Sequence, residues 1–336
     1  MTAHYIKAVL LAVFIALPTA AQAATTCSAS MTNVNFGGSD PFTGWTGVTA
    51  TINYQCTTSG LSLLAAARAK LCFGIGSGDQ GSGSTIVPRR MTSGANELRF
   101  NLYQDAGHSL VWPRVVEGTD KYEVDLEYSV PLLGGSGSGS VTVYGDIISG
   151  QNTAIPGSYS NSFSGIDAFM VFRANAGVVI FYPSWPTSCT SGGASSGIAS
   201  FPFTASATVE ASCNPSFSVQ NISFGTQGIL SSNIDTTAII APQCTNTTPY
   251  QIGLDNGQNA TGNTRRMHNG AGKYVSYELY RDAARSQRWG DTLNSDTLAD
   301  IGTGSAQAQS VYARTAPQIT PPQGTYSDTV TVTIYY

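Results

Sequence analysis

Short runs of alternating apolar and polar residues dominate the chain. The segments VTATINYQC (48–56), ELRFNLYQD (97–105), YEVDLEYSV (122–130), SVTVYGDI (140–147), YVSYELYRD (274–282) and TVTVTIYY (329–336) place apolar side chains two apart. That is the period of a strand with one buried face. Gly, Pro, Asn and Ser separate the runs, as turns require. The nearest approach to a helical period is LSLLAAARAKL (61–71), and it is short. The pattern predicts an all-β protein of sandwich type. The closing GTYSDTVTVTIYY (324–336) reads as one strand, with Val330, Val332, Ile334 and Tyr336 on one face.

The runs repeat in order. CSASMTNVNFG at Cys27 is echoed by CNPSFSVQNISFG at Cys213, and each is followed by a second cysteine, Cys56 and Cys244. Arg89-Arg90-Met91 returns as Arg265-Arg266-Met267, and LYQDA (102–106) as LYRDA (279–283). Trp112 matches Trp289, Val143-Tyr144 matches Val311-Tyr312, and PGSYSNS (156–162) matches PQGTYSD (322–328). Ordered matches at near-constant spacing mark a duplicated domain. The first copy carries extra residues around 61–84 and 131–140. It also continues past its last motif through FMVFRANAGVVIFYPSWPTSC (169–189), of which VVIFY offers a strand to complete that domain from within. The flexible composition of TSGGASSG (190–197) places the junction there. The expected division is a signal peptide over 1–23, a first domain over 24–197 and a second over 198–336.

Residues 1–23 have the form of an export signal: Lys7, a hydrophobic run over 8–17, and the small-x-small site Ala21-Gln22-Ala23. An even count of six cysteines in an exported chain points to disulfides. The repeat pairs Cys27 with Cys56 and Cys213 with Cys244. Cys72 and Cys189 have no counterpart in the second copy and are expected to pair with each other. A net charge of −4, with 11% charged residues and no basic cluster, excludes nucleic acid as a partner. No CxxC pair suggests zinc. GSGDQG (76–81) fits G-x-G-x-x-G but lacks a following helix. His108 and His268 have no second histidine or serine elbow nearby, so neither catalytic residues, a metal nor a cofactor is expected. Arg89-Arg90 and Arg265-Arg266 are expected to pair with nearby carboxylates such as Asp105 and Asp282.

The order Cys…Cys, RRM, L-Y-x-D-A, Trp289-Gly290-Asp291 and GTYSDTVTVTIYY resembles the spore coat protein U domain, the pilin domain of archaic chaperone–usher pili. The likeness is close over 213–336 and looser over 27–173, where Trp112-Pro113-Arg114 stands in place of W-G-D. The resemblance implies two immunoglobulin-like β-sandwiches, the second lacking its seventh strand. A periplasmic chaperone, and then an adjacent pilin subunit, would lend that strand after an outer-membrane usher accepts the complex. Only Ala24, Thr25 and Thr26 separate the signal from Cys27, so the subunit is expected to accept a strand without donating one. The implied function is that of a pilus tip adhesin at the cell surface, attaching cells to surfaces and building biofilm. The alternative is a coat or shaft subunit without a ligand. The implied donor-strand groove is lined by Phe217, Val219, Ile222, Phe224, Val330, Val332 and Ile334. The first domain would meet a hydrophobic or host surface through Leu63, Leu64, Pro131, Leu132, Leu133, Tyr182 and Trp185; the alternative is that these residues fill that domain's own core. SVPLLGGSGSGS (129–140) reads as an exposed loop in that surface.

Overall fold

A computed structural model of the chain describes residues 24–60, 65–81, 86–114, 121–177 and 182–336. The proposed signal segment, Leu63, Leu64 and most of VVIFY lie outside the described residues. The described chain is built of strands, with a single 3-10 turn at Gly165–Asp167. The first domain begins with β1 (Ala24–Met31), β2 (Val34–Ser39), β3 (Val48–Ser59) and β4 (Ala65–Ile75). It continues with β5 (Arg89–Ser93), β6 (Asn96–Tyr103), β7 (Tyr122–Val130) and β8 (Gly135–Ile147). It closes with β9 (Gly157–Phe163), β10 (Ala168–Ala176), β11 (Ser195–Ser200) and β12 (Phe203–Val209). The second domain holds β13 (Ser218–Val219), β14 (Ile234–Ala241), β15 (Pro249–Leu254), β16 (Arg265–His268), β17 (Tyr274–Tyr280), β18 (Leu298–Ile301), β19 (Gln309–Thr315) and β20 (Val332–Tyr335).

In the first domain a sheet ordered β1-β3-β8-β6-β5-β9-β12-β2 faces a sheet ordered β11-β10-β4-β7. In the second, β13-β14-β19-β17-β16 faces β18-β15-β20. Each pair of sheets encloses its own apolar core. This all-β, two-sandwich architecture agrees with the fold expected from the sequence. All three disulfides form as expected: Cys27–Cys56, Cys72–Cys189 and Cys213–Cys244.

The structure adds local detail that the sequence pattern does not carry. The first core includes Phe201, Phe203, Ala205, Ala207 and Val209, so β12, which lies beyond the boundary expected at Gly197, packs within the first sandwich. TSGGASSG is the turn leading into β11, not a linker. Within LSLLAAARAKL, residues 65–71 form the start of β4, whose pairing with both β10 and β7 overrides the helical preference of alanine. GSGSGS (135–140) is the start of β8 rather than loop. Its serines face outward, while Gly137 and Gly139 lie under the rings of Tyr128 and Tyr54, where an added Cβ would collide. Glycine is there for close approach.

The repeated arginines meet the expected carboxylates in part: Arg90 pairs with Glu97 (3.1 Å) and Arg265 with Glu278, whereas none pairs with Asp105 or Asp282 among the described contacts. Arg89 and Arg265 are fully buried, and each guanidinium binds backbone carbonyls of strand ends. Arg89 donates from Nη2 to Ile75 O (2.7 Å) and Trp112 O (2.9 Å). Arg265 donates from Nη2 to Leu254 O (2.6 Å) and Trp289 O (2.8 Å), and from Nη1 to Glu278. Burial pushes both groups down, Arg89 to about 9. Asp105 and Asp282 do something else. They cap turns by accepting from the backbone N–H groups of Ser109 and Leu110, and of Ser286 and Gln287. These two aspartates are surface turn formers, too exposed to serve a fully buried guanidinium.

Candidate functional site

The registers of the two domains superpose through the repeat. Thr92 pairs with Ser160 in the first domain, and His268 with Ser327 in the second. Ile75 pairs with Ala168, and Leu254 with Val332. Tyr159 and Tyr326 each donate from the phenol to the carbonyl four residues back, at 2.7 Å in both cases. Gly37 and Gly225, which close the NVNFG and NISFG motifs, share a positive φ of 72° and 67°. Tyr326, Asp328 and Val330 therefore occupy the places of Tyr159, Asn161 and Phe163. Ile222 and Phe224 occupy those of Val34 and Phe36.

Between these equivalent walls the domains differ. In the first, β12 fills the gap. It pairs antiparallel with β9, Phe203 opposite Phe163 and Val209 opposite Gly157, and parallel with β2, Ala205 opposite Val34. Among the described residues no strand lies there in the second. A cleft of about 460 Å³ opens between residues 219–224 and 326–332. Its floor is the core itself, with Ile240, Met267, Tyr277 and Leu279 lining it.

Of the seven residues expected to form the groove, Val219, Ile222, Phe224, Val330 and Val332 line the cleft. Phe217 and Ile334 pack at the edge of the same core without lining the cleft. Sequence reasoning missed Met267, Tyr277, Tyr326 and Asp328. Met91, the counterpart of Met267 in the repeated RRM motif, was the available signal. The Tyr277 hydroxyl donates to Asp328 Oδ2 at 2.8 Å, and Asn259 donates to Asp328 Oδ1 from its backbone N (3.1 Å) and Nδ2 (3.0 Å). Burial first, and then the Asp328 carboxylate, push the Tyr277 phenol well above its usual range.

The empty place also explains why the terminal segment is less regular than its alternation suggests. Residues 324–336 form a strand only over β20, and residues 217–224 only over β13. Val34–Ser39 has the NISFG-like sequence yet is a full strand, because β12 supplies its ladder. A segment whose partner is absent satisfies no ladder and keeps only its side-chain alternation. In that alternation Val330, Val332 and Ile334 face inward and Thr329, Thr331 and Thr333 outward.

At the far end of the first domain, the registers bring several predicted loop residues near one another. Ala65 pairs with Val130, Thr58 with Gly135 and Ala67 with Ala176. The turn 131–134 therefore sits beside the end of β3, the start of β4 and the end of β10. Pro131 is exposed, and Leu132 and Leu133 are 51% and 85% exposed. Tyr182 is exposed, with the Arg68 guanidinium 4.8 Å from its ring centre. Trp185 is half-buried against the outward-facing side chains of Arg68 (5.1 Å) and Lys70 (5.9 Å). Its ring covers two cations rather than standing free with the leucines. The Cys72–Cys189 bridge ties this segment to β4.

The Spore Coat Protein U domain model matches the chain twice, over residues 13–164 and 199–333. Protein U of Myxococcus xanthus is 36% identical over 107 residues, spanning 30% of this chain and 59% of that protein. Among solved structures, a chain of the CsuC–CsuE chaperone–tip adhesion subunit pre-assembly complex from archaic chaperone-usher Csu pili of Acinetobacter baumannii shares the fold. It aligns over 93% of this chain and all of its own, with a TM-score of 0.50 at 18% identity. The CupB6 tip adhesin from Pseudomonas aeruginosa aligns over 94% of this chain and 96% of its own, with a TM-score of 0.31 at 11% identity. The solved structure that shares the fold is named as a tip adhesion subunit of archaic chaperone-usher pili. With both copies of the repeat matched, the chain belongs to the spore coat protein U domain family and has the fold of a chaperone–usher pilus subunit.

Proposed function

We propose that the chain is the tip adhesin of a chaperone–usher pilus, attaching cells to surfaces and supporting biofilm. It passes through the periplasm with a chaperone strand in the cleft of its second domain. At the outer-membrane usher, a donor strand from the adjacent pilin subunit replaces that strand. The observation that carries this reading is the asymmetry between the domains. The first is closed by its own β12, while the second keeps an open cleft with a core floor. The described N-terminal strand β1 is paired along its whole length with β3 and is thus engaged within its own domain. One open acceptor and an engaged first strand suit a subunit at the end of a fibre. The first domain then presents Leu132 and Leu133, with Pro131 and Tyr182, to a hydrophobic or host surface. Leu63, Leu64 and Trp185 belong to the same proposed surface.

Antibody against the first domain is expected to label pilus ends in electron micrographs; labelling along the shaft would overturn the tip assignment. In the same cells, Leu132→Ser with Leu133→Ser should leave pilus number unchanged and reduce attachment to polystyrene. Undiminished attachment would remove this turn from the binding surface.

A further inference from the structure

The first domain holds a complete template for the strand that the second lacks, and the differences between the two floors state what that strand must look like. In the template, β11 and β12 form one nearly continuous strand that crosses from one sheet to the other at Phe201 and Pro202. Its first part pairs with β10, Gly197 opposite Phe172, and its second with β9 and β2. By the repeat, Phe172 corresponds to Tyr336 and Gly157 to Gly324. A complementing strand of the same span would therefore reach the whole of residues 324–336. The inward side chains of the template alternate: Phe201, Phe203, Ala205, Ala207 and Val209 are all at most 4% exposed.

Floor residues decide the sizes. Ala205 and Ala207 sit opposite Asn161 and Tyr159, over a floor containing Phe36 and Phe100. The second domain keeps a ring at every one of these aromatic places: Tyr326, Phe224 and Tyr277. Rings of the same size leave room only for small side chains above them. The Asp328 carboxylate at the Asn161 place is already occupied by the Tyr277 hydroxyl and Asn259, so it offers no opening for a larger polar group. The Phe203 place differs. There Phe203 stacks on Phe163 with centroids 4.5 Å apart and planes 3° from parallel, whereas the second domain has the smaller Val330.

Resting on the acceptor reading above, we propose that the cleft selects a partner segment by a register of side-chain sizes. The segment runs parallel to residues 222–225 and antiparallel to 324–330. It carries a large apolar residue opposite Val330, small residues opposite Asp328 and Tyr326, and a β-branched residue opposite Gly324. Tyr326, Phe224 and Tyr277 are the specificity-determining residues that reject bulk at the two small positions, and Val330 is the one that demands it.

Synthetic peptides presented to the full exported chain test this. One copies residues 197–210 of the chain, two carry the equivalents of Ala205→Leu and Ala207→Leu, one carries Phe203→Ala, and one is a plain Thr-Val alternation. Native mass spectrometry and thermal unfolding read the complexes; if the free chain does not stay monomeric, peptides are added during refolding and soluble monomer is counted. The copy should bind one to one and raise the unfolding temperature. The leucine peptides should bind at least ~10-fold more weakly, because overpacking a formed core costs about 1–3 kcal/mol. The Phe203→Ala peptide should also weaken. Equal binding of the copy, the leucine peptides and the plain alternation would overturn size selection while leaving the acceptor reading intact. Failure of every strand peptide to bind would overturn the acceptor reading itself.

Discussion

Beneath β12 of the first domain, Tyr159, Asn161 and Phe163 are each 1% exposed. In the second domain Tyr326, Asp328 and Val330 hold the same places and are only half-buried beside an open cleft. Met91 is fully buried, while its counterpart Met267 lines that cleft. The sequences of the two walls are close enough to be recognised as copies, so the walls themselves do not account for the difference. One strand does. It converts the NVNFG segment into β2, covers a row of aromatic and aliphatic side chains, and joins two sheet edges that would otherwise invite pairing with another chain. The first domain carries that strand in its own sequence, and the second leaves the position open.

The largest expected effect comes from erasing the asymmetry. A copy of residues 197–210 joined after Tyr336 by a flexible Gly/Ser linker should close the second domain. Covering ~500 Å² of apolar surface contributes ~12 kcal/mol before the entropy of ordering the strand is subtracted. Calorimetry should show a large rise in the unfolding temperature of the second domain, and the chain should no longer take up a strand peptide. The converse change opens the first domain. Ala205→Asp places an unpaired carboxylate where Ala205 is fully buried, and a loss of ~3–5 kcal/mol is expected. Dye binding to the newly exposed core would report it, and an unchanged melting profile would show that β12 does not close the domain.

A smaller effect separates the two buried arginines. Arg265→Met leaves the carbonyls of Leu254, Asp255 and Trp289 without their donor and leaves Glu278 with Arg288 as its one remaining ion-pair partner, and should cost ~2–4 kcal/mol. Arg89→Met leaves carbonyls alone and should cost ~1–3 kcal/mol. Urea unfolding of the two variants measures the gap, and equal losses would mean that Glu278 contributes nothing. Least of all, Leu132→Ser with Leu133→Ser should change stability by no more than ~0.5 kcal/mol, since both side chains are exposed. A larger loss would place the pair in the fold rather than at its surface.

Much of this architecture was legible from alternation and repetition. Strands β3, β6, β7, β8 and β17 coincide with apolar–polar runs because a sheet with one buried face imposes a period of two. The Cys27–Cys56 and Cys213–Cys244 pairings followed from the repeat. Other features were hidden because they depend on what lies across the sheet. Residues 61–71 are alanine-rich and look least like a strand, yet two neighbours recruit β4 from them. GSGSGS looks like a linker until the rings of Tyr54 and Tyr128 are placed over its glycines. The packing of FTASATV in the first sandwich was not legible because its partners, β9 and β2, are far away in the chain. The arginine of RRM was recognisable as repeated, but its carbonyl partners come from strand ends that the sequence does not bring together.

The order of amino acids by itself determined the duplication, the disulfide partners, the strand faces and the inward set Val330, Val332 and Ile334. Each of these depends on local period or on spacing within one copy. Only the tertiary structure decided which segment closes which sandwich. A backbone ladder is indifferent to the chain that supplies it, and its energy comes from groups distant in sequence or in another molecule. For that reason the same motif is a buried strand in one domain and the open wall of a cleft in the other.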